Sequence, residues 1–298
     1  MAEISIPDGS WTFDSEILRI VPGGDSDVHE LRKTLGELEI PLTAISGVSF
    51  EPSRKGGNLQ LRLRPGADPL TDVVTGRLSG SADPYRLTVP KGRTGAAEYF
   101  ADEVRTHLML EQVPSGPCES FLLPGPAVPV SASAGDGTVN FDGERIRLEW
   151  SVFAKSVKEE AGPQTFPLRD VEGVEWAPQT GIGYGRLRFR LRGAAPAVSP
   201  EKDLHCLSWG VQRYGGSTVL VAAAVLARLS RRAEEPAALP PALPPSRPDD
   251  RRQRLAELEE HDALVRRLTE LGDLHRSGVL TDEEFSSAKR SLLRRMEL

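Results

Sequence analysis

Short runs of alternating apolar and polar residues fill the first three-quarters of the chain, and the same runs come twice. Leu59, Leu61 and Leu63 alternate with Gln60, Arg62 and Arg64. From 59 to 187, an offset of 128, Leu187, Phe189 and Leu191 alternate in the same way with Arg188, Arg190 and Arg192. Period two with one oily face predicts a half-buried antiparallel strand. At the same offset Asp8-Gly9-Ser10-Trp11-Thr12-Phe13-Asp14 returns as Asp136-Gly137-Thr138-Val139-Asn140-Phe141-Asp142, and between them, at an offset of 126, the block from Ile40 to Pro52 returns as Phe166 to Pro178. Self-similarity at a fixed period outranks local propensity, so the chain is read as a tandem duplication.

Within the first repeat, Trp11 and Phe13 followed by Ile17, Leu18 and Ile20 predict a hairpin that ends at Pro22-Gly23-Gly24. Leu38 to Leu42 continues the strand signal, with Pro41 suited to an edge because it lacks the ladder N–H. Ile45, Val48 and Phe50 lead to the Leu59 strand. Residues 65–84, rich in Gly, Asp, Ser and Pro, read as a long loop before Tyr85, Leu87 and Val89. After Thr94, Phe100, Val104 and Leu108 recur every four residues and predict a closing amphipathic helix. The second repeat follows the same order and ends in a helix from about Ser217 to Leu229. That helix is apolar all round from Val219 to Ala227, so it must be covered on more than one side. The predicted fold class is therefore α+β, with strands followed by one terminal helix in each repeat.

The implied division is a first repeat at 1–112, a linker at 113–135, a second repeat at 136–232, a Pro-rich linker at 233–250 and a tail at 251–298. In the tail, Leu264, Leu268 and Leu271 stripe one helix and Ser277-Gly278 breaks it. Thr281-Asp282-Glu283-Glu284 is a capping box, and Phe285, Ala288 and Leu292 stripe a second helix. Two short helices cannot bury such stripes alone, so the hairpin is expected to dock on a partner protein or on another copy.

Charge and composition narrow the function. The net charge of -6 over 298 residues argues against a nucleic-acid binder. Cys118 and Cys206 are too few for a disulfide framework or a cysteine metal site, and a cytoplasmic location is expected. The segment beginning Met1-Ala2-Glu3 lacks the basic and apolar regions of a signal peptide. The longest apolar run, Val219 to Leu229, falls short of the roughly 20 residues that span a bilayer.

Candidate chemistry is sparse. Gly181, Gly183 and Gly185 have phosphate-loop spacing, but a strand follows where such a loop needs a helix N-terminus, so a hairpin turn is the better reading. His29, His107, His205, His261 and His275 fall on different elements with no ligand-like pairing. Arg186, Arg188, Arg190 and Arg192 share one strand face, either as an anion or partner surface or as cross-strand partners of Asp170, Glu172 and Glu175. No Gly-x-Ser-x-Gly elbow occurs. No catalytic, cofactor or metal residues are assigned, and a non-enzymatic binding protein or scaffold is expected. Peripheral binding to anionic lipid through the arginine face is the alternative, and an enzyme with an unrecognised site a weaker one.

The repeated Ile-Pro-Leu block, the alternating strand and the closing helix resemble the tandem domains of an actinobacterial family of unknown function, numbered 4429. Strands ending in one helix are similar to pleckstrin-homology-like domains, which implies a bent antiparallel sheet or barrel in each repeat. The tail from Leu264 to Leu293, with Leu274-His275-Arg276-Ser277-Gly278-Val279-Leu280-Thr281-Asp282-Glu283-Glu284-Phe285, resembles the short C-terminal domain called SHOCT. These resemblances imply binding modules and a hairpin for oligomerisation or partner contact, without ligand or catalytic residues to carry over.

Overall fold

In the computed structural model, the residues described are 1–234 except 79, 181–182, 194–198 and 211–214. The first unit opens with the antiparallel meander β1 (Ala2–Ile6), β2 (Gly9–Phe13), β3 (Ile17–Pro22) and β4 (Leu38–Pro41), with the short helix α1 (Glu30–Leu35) between β3 and β4. A 3₁₀ turn at Leu42–Ala44 leads into a second antiparallel sheet of β5 (Ile45–Ser53), β6 (Gly56–Leu63) and β7 (Arg86–Pro90). Helix α2 (Pro69–Val74) lies between β6 and β7, and α3 (Thr94–Leu110) closes the unit.

The second unit repeats this order with β8 (Val130–Ala134), β9 (Gly137–Phe141), β10 (Arg145–Trp150), α4 (Ser156–Ala161) and β11 (Gln164–Pro167). Its second sheet is β12 (Val171–Ala177), β13 (Gly185–Leu191) and β14 (Cys206–Trp209), and α5 (Thr218–Glu234) closes it. Registers match as well as order. Ile4, Trp11 and Ile20 stand opposite one another across β1, β2 and β3, as Ala132, Val139 and Leu148 do across β8, β9 and β10, and all six are buried. The period-two pattern thus puts one face of each meander into a core.

Three features depart from the sequence reading. First, strand β8 occupies residues assigned to the linker at 113–135, so the second unit begins at Val130. Its inward residues, Ala132 and Ala134, are too small to register as a hydrophobic alternation. Second, α1 and α4 occupy stretches to which the sequence pattern assigned no element. Third, residues 65–84 are not simply loop, because α2 starts there with Asp68 as N-cap and Pro69 at the first helical position. The tail at 251–298, with its predicted stripe, lies outside the described residues.

Helix α2 explains the all-round apolar character of α5. Leu70, Val73 and Val74 of α2 fall in one buried cluster with Leu220, Ala223 and Val225 of α5, and α2 also packs on β12. The closing helices align through His107, which stacks edge-on to Phe13, and Arg228, which lies over Phe141 at the equivalent place. On that alignment Tyr99, Asp102 and Thr106 of α3 correspond to Leu220, Ala223 and Ala227 of α5. The first three are exposed and the last three buried, so the second stripe of α5 exists because α2 covers it.

The linker is held too. Ala67 O accepts from Leu122 N and Leu123 N, and Arg64 donates to Gly116 O and Pro117 O. Gly125, at φ 71°, passes so close to α2 and α5 that a Cβ would meet Pro69 at 2.8 Å and Ala227 at 2.9 Å, which leaves room only for glycine.

Candidate functional site

Each unit is closed at the edge of its second sheet by an ion pair, half-buried at its aspartate in the first unit and fully buried in the second. In the first, Asp8 in the β1–β2 turn accepts from Thr88 N of the edge strand β7 at 2.7 Å and from Arg32 Nη1 of α1 at 2.8 Å. Arg32, only 4 % exposed, also donates to Asp8 O. In the second, Asp136 Oδ1 accepts from Ser208 N of β14 at 2.8 Å, while Oδ2 accepts from Ser208 Oγ and from Lys158 Nζ of α4, both at 2.6 Å. Lys158 is fully buried. Its remaining two donors go to Cys206 O at 2.6 Å and Pro200 O at 3.0 Å, and its ammonium lies 4.7 Å from the Trp150 ring centroid. An ammonium has three N–H donors, and all three are used.

This clamp has a clear physical role. β7 and β14 are edge strands, and an edge presents unpaired backbone groups to any passing strand. Asp136 takes Ser208 N through its carboxylate and Ser208 O through its own backbone N–H, while Lys158 takes Cys206 O. The edge is sealed by side chains. The carboxylate and the ammonium spend their hydrogen bonds on that edge and on Pro200 O.

Above the second clamp lies a groove of about 590 Å³ lined by Phe153, Lys155, Tyr184, Glu201, Trp209 and Gly210. Two of its lining residues are exposed apolar or aromatic side chains, Phe153 at 81 % and Tyr184 at 46 %, and Val152, next to Phe153 in the chain, is 85 % exposed. Matching turns place the two units in register here, since Val28 N bonds to Asp25 O as Ala154 N bonds to Ser151 O. Ser26 and Asp27 therefore stand where the second unit has Val152 and Phe153. Gly185 opens β13 beside this groove, and the Trp209 indole lies so near it that a Cβ would fall 2.0 Å from Nε1. Strand β13 follows the glycines directly, while Gly181 lies outside the described residues.

The arginine face is largely engaged with carboxylates. Arg188 Nε bonds to Asp203 Oδ2 at 2.7 Å, Arg190 lies 3.6 Å from Glu175, and Arg192 lies 3.6 Å from Glu172. Asp170 instead lies 3.8 Å from Arg169, and Arg186 Nε is buried without a partner among the described residues. The first unit shows what Arg188 does. Gln60, at the same strand position, donates to Asp83 Oδ2, and Asp83 and Asp203 each accept a backbone N–H two residues on, from Tyr85 and His205. Both side chains hold an Asx turn in place. The stripe of Leu264, Leu268, Leu271, Phe285, Ala288 and Leu292 lies outside the described residues, as do His261 and His275. No cluster of potential metal ligands occurs among the described residues.

Cys206 is buried in β14, and desolvation pushes its thiol from 9.0 up to about 12 despite the nearby Lys158 ammonium. The raised value favours the protonated folded state, so its contribution to stability is complete below pH 9 and is lost as pH rises from 9 toward 12. Iodoacetamide at pH 8 is expected to modify Cys118, which is half-buried, and to reach Cys206 only on unfolding. Mass spectrometry of the alkylated native chain checks this, and rapid labelling of Cys206 would contradict it.

The family model described as "Domain of unknown function (DUF4429)" matches residues 11–105 and 139–226. The chain belongs to this family. No curated protein matches it in sequence. The two DUF4429 segments each start in the second strand of a unit and end in its closing helix. They include Arg32, Thr88, Lys158 and Ser208 but begin just after Asp8 and Asp136. Phe153, Lys155, Tyr184, Glu201, Trp209 and Gly210 of the groove all lie within the second DUF4429 segment. No helix among the described residues is long and apolar enough to cross a membrane.

Proposed function

We propose that this DUF4429 chain is a non-enzymatic binding protein whose two pleckstrin-like units form the body and whose second unit engages a protein partner through the groove above its clamp. A four-strand meander, a three-strand meander and a closing helix in each unit support the pleckstrin-like reading. The observation that carries the binding reading is the exposed apolar rim at Val152, Phe153 and Tyr184, beside a buried polar cluster whose hydrogen bonds are used internally. A contiguous apolar rim on a soluble surface marks a contact site more readily than scattered single residues do. The lipid reading is weaker, because Arg188, Arg190 and Arg192 already face carboxylates. The SHOCT-like tail, through its predicted stripe, is part of the same proposal as a second docking element, and a cytoplasmic location suits it.

A photo-crosslinking phenylalanine analogue tests this at position 153, with position 27 as the matched control in the first unit. In cells of the source organism, position 153 is expected to yield a discrete protein adduct and position 27 none. Equal labelling at the two positions, or none at either, counts against the proposal.

A further inference from the structure

We infer that the first unit holds a binding site for one apolar α-amino acid, in a cavity of about 260 Å³ between strand β6, helix α2 and the segment that leads to β7. The site is separate from the groove of the second unit, and the inference stands apart from the binding reading above. Leu61, Leu63, Leu70, Val74 and Leu78 give the cavity apolar walls. Its volume falls just short of the roughly 300–1,000 Å³ that hold drug-sized ligands, which suits a molecule the size of a single residue better than a peptide. Among the described residues that line it, Arg62 is the only cation and Asp83 the only anion.

The second unit shows why those two charges stay open. Gly47 pairs with Arg62 and Ser49 with Gln60 in the same register as Gly173 with Arg190 and Glu175 with Arg188. In the second unit each charge has an internal counter-ion: Arg190 lies 3.6 Å from Glu175, and Asp203, the counterpart of Asp83, pairs with Arg188 at 2.7 Å. The first unit has Ser49 in place of Glu175 and Gln60 in place of Arg188, so both counter-ions are missing. Its ion pairs join Arg19, Arg32 and Arg105 to carboxylates, and none among the described residues involves Arg62 or Asp83. The Asp83 carboxylate accepts from two neutral donors, Gln60 Nε2 at 3.0 Å and Tyr85 N at 2.9 Å, while Arg86 bonds to Asn58 instead. Thr71 Oγ1 and Tyr85 OH, also on the lining, both donate to Asp68. One open charge of each sign beside apolar walls is the complement of a zwitterion with an apolar side chain. The ligand's carboxylate goes to the Arg62 guanidinium, its ammonium to Asp83 and its side chain to the leucines.

L-leucine is the probe, titrated into the full chain and followed by isothermal titration calorimetry, and it is expected to bind saturably. Leucinamide, which lacks the carboxylate, and 4-methylpentanoate, which lacks the ammonium, are each expected to bind about tenfold more weakly, since each gives up one charge-assisted contact. Arg62→Gln is expected to weaken L-leucine about tenfold and to leave leucinamide nearly unchanged, with circular dichroism unaltered because Arg62 is exposed. Asp83→Asn keeps an acceptor for Tyr85 N, and it should weaken L-leucine while sparing 4-methylpentanoate. Absence of saturable L-leucine binding overturns the inference. So does equal binding of L-leucine to the wild-type chain and to Arg62→Gln, or equal binding of L-leucine and its two analogues to the wild type, either of which would leave an apolar cavity without charge recognition.

Discussion

Lys158→Ala is expected to lower the unfolding free energy by about 3–5 kcal/mol, the usual loss when one partner of a buried ion pair is removed. Lys158 is 0 % exposed and Asp136 only 6 %, so the carboxylate would remain buried with Ser208 as its single neighbour of note. Cys206 O and Pro200 O would lose a donor in the same change, and the vacated space would sit under Trp150. The loss should be nearly independent of salt, since screening acts on exposed charges. Replacing both partners, Lys158→Met with Asp136→Asn, should recover part of the loss because no charge is then stranded. Urea denaturation of the three proteins at two salt concentrations checks this. A loss below 1 kcal/mol for Lys158→Ala would mean that the clamp does not hold the edge of β14.

Leu70→Asp is expected to cost at least about 4 kcal/mol, since it combines the 2–5 kcal/mol of a lost core leucine with the burial of a carboxylate that has no partner. The informative part is where the damage falls. Leu70 belongs to the first unit by sequence, yet its helix packs on α5 and β12 of the second. Hydrogen exchange should therefore rise in α5 and β12 more than in β2 or β3. Tyr99→Asp on the exposed side of α3 serves as the control and should change stability by less than about 0.5 kcal/mol. Exchange confined to the first unit would show that α2 is not part of the second unit's core.

How much of this was legible from the residues depends on size and on distance along the chain. Strands β2, β6, β9 and β13 carry bulky side chains at every second position, and the duplication made each one evident twice. Strand β8 buries only two alanines, beside a half-buried Val130, so its hydrophobic pattern is too faint to see. Helix α2 had its start written in Asp68-Pro69, but six residues hold too little periodicity to outweigh the Gly, Ser and Pro around them. The apolar surplus of α5 did announce a second cover, though nothing local identified α2 as that cover.

The clamps illustrate a different limit. Asp136, Lys158 and Ser208 are brought together only by the folding of two sheets and a connection, and the one local trace is the Asp-Gly turn that both repeats share. The arginine row was conspicuous in sequence, while its pairing with Asp203, Glu175 and Glu172 depends on a turn and on strand register. At the same strand position the first repeat has Gln60 where the second has Arg188. In the fold both residues bind the aspartate of an equivalent turn. The groove left a trace in the comparison of Ser26-Asp27 with Val152-Phe153, visible only once the intervening connections are aligned through their matching turns.

The central claim is that the apolar rim above the second clamp is where the chain meets its partner. The most direct test transplants the first unit's residues onto that rim as Val152→Ser with Phe153→Asp, and compares recovery of the protein captured by the crosslinker at 153 from wild-type and exchanged full-length chains. The account predicts an unchanged melting temperature and at least tenfold lower recovery of that protein; equal recovery from both chains would contradict it.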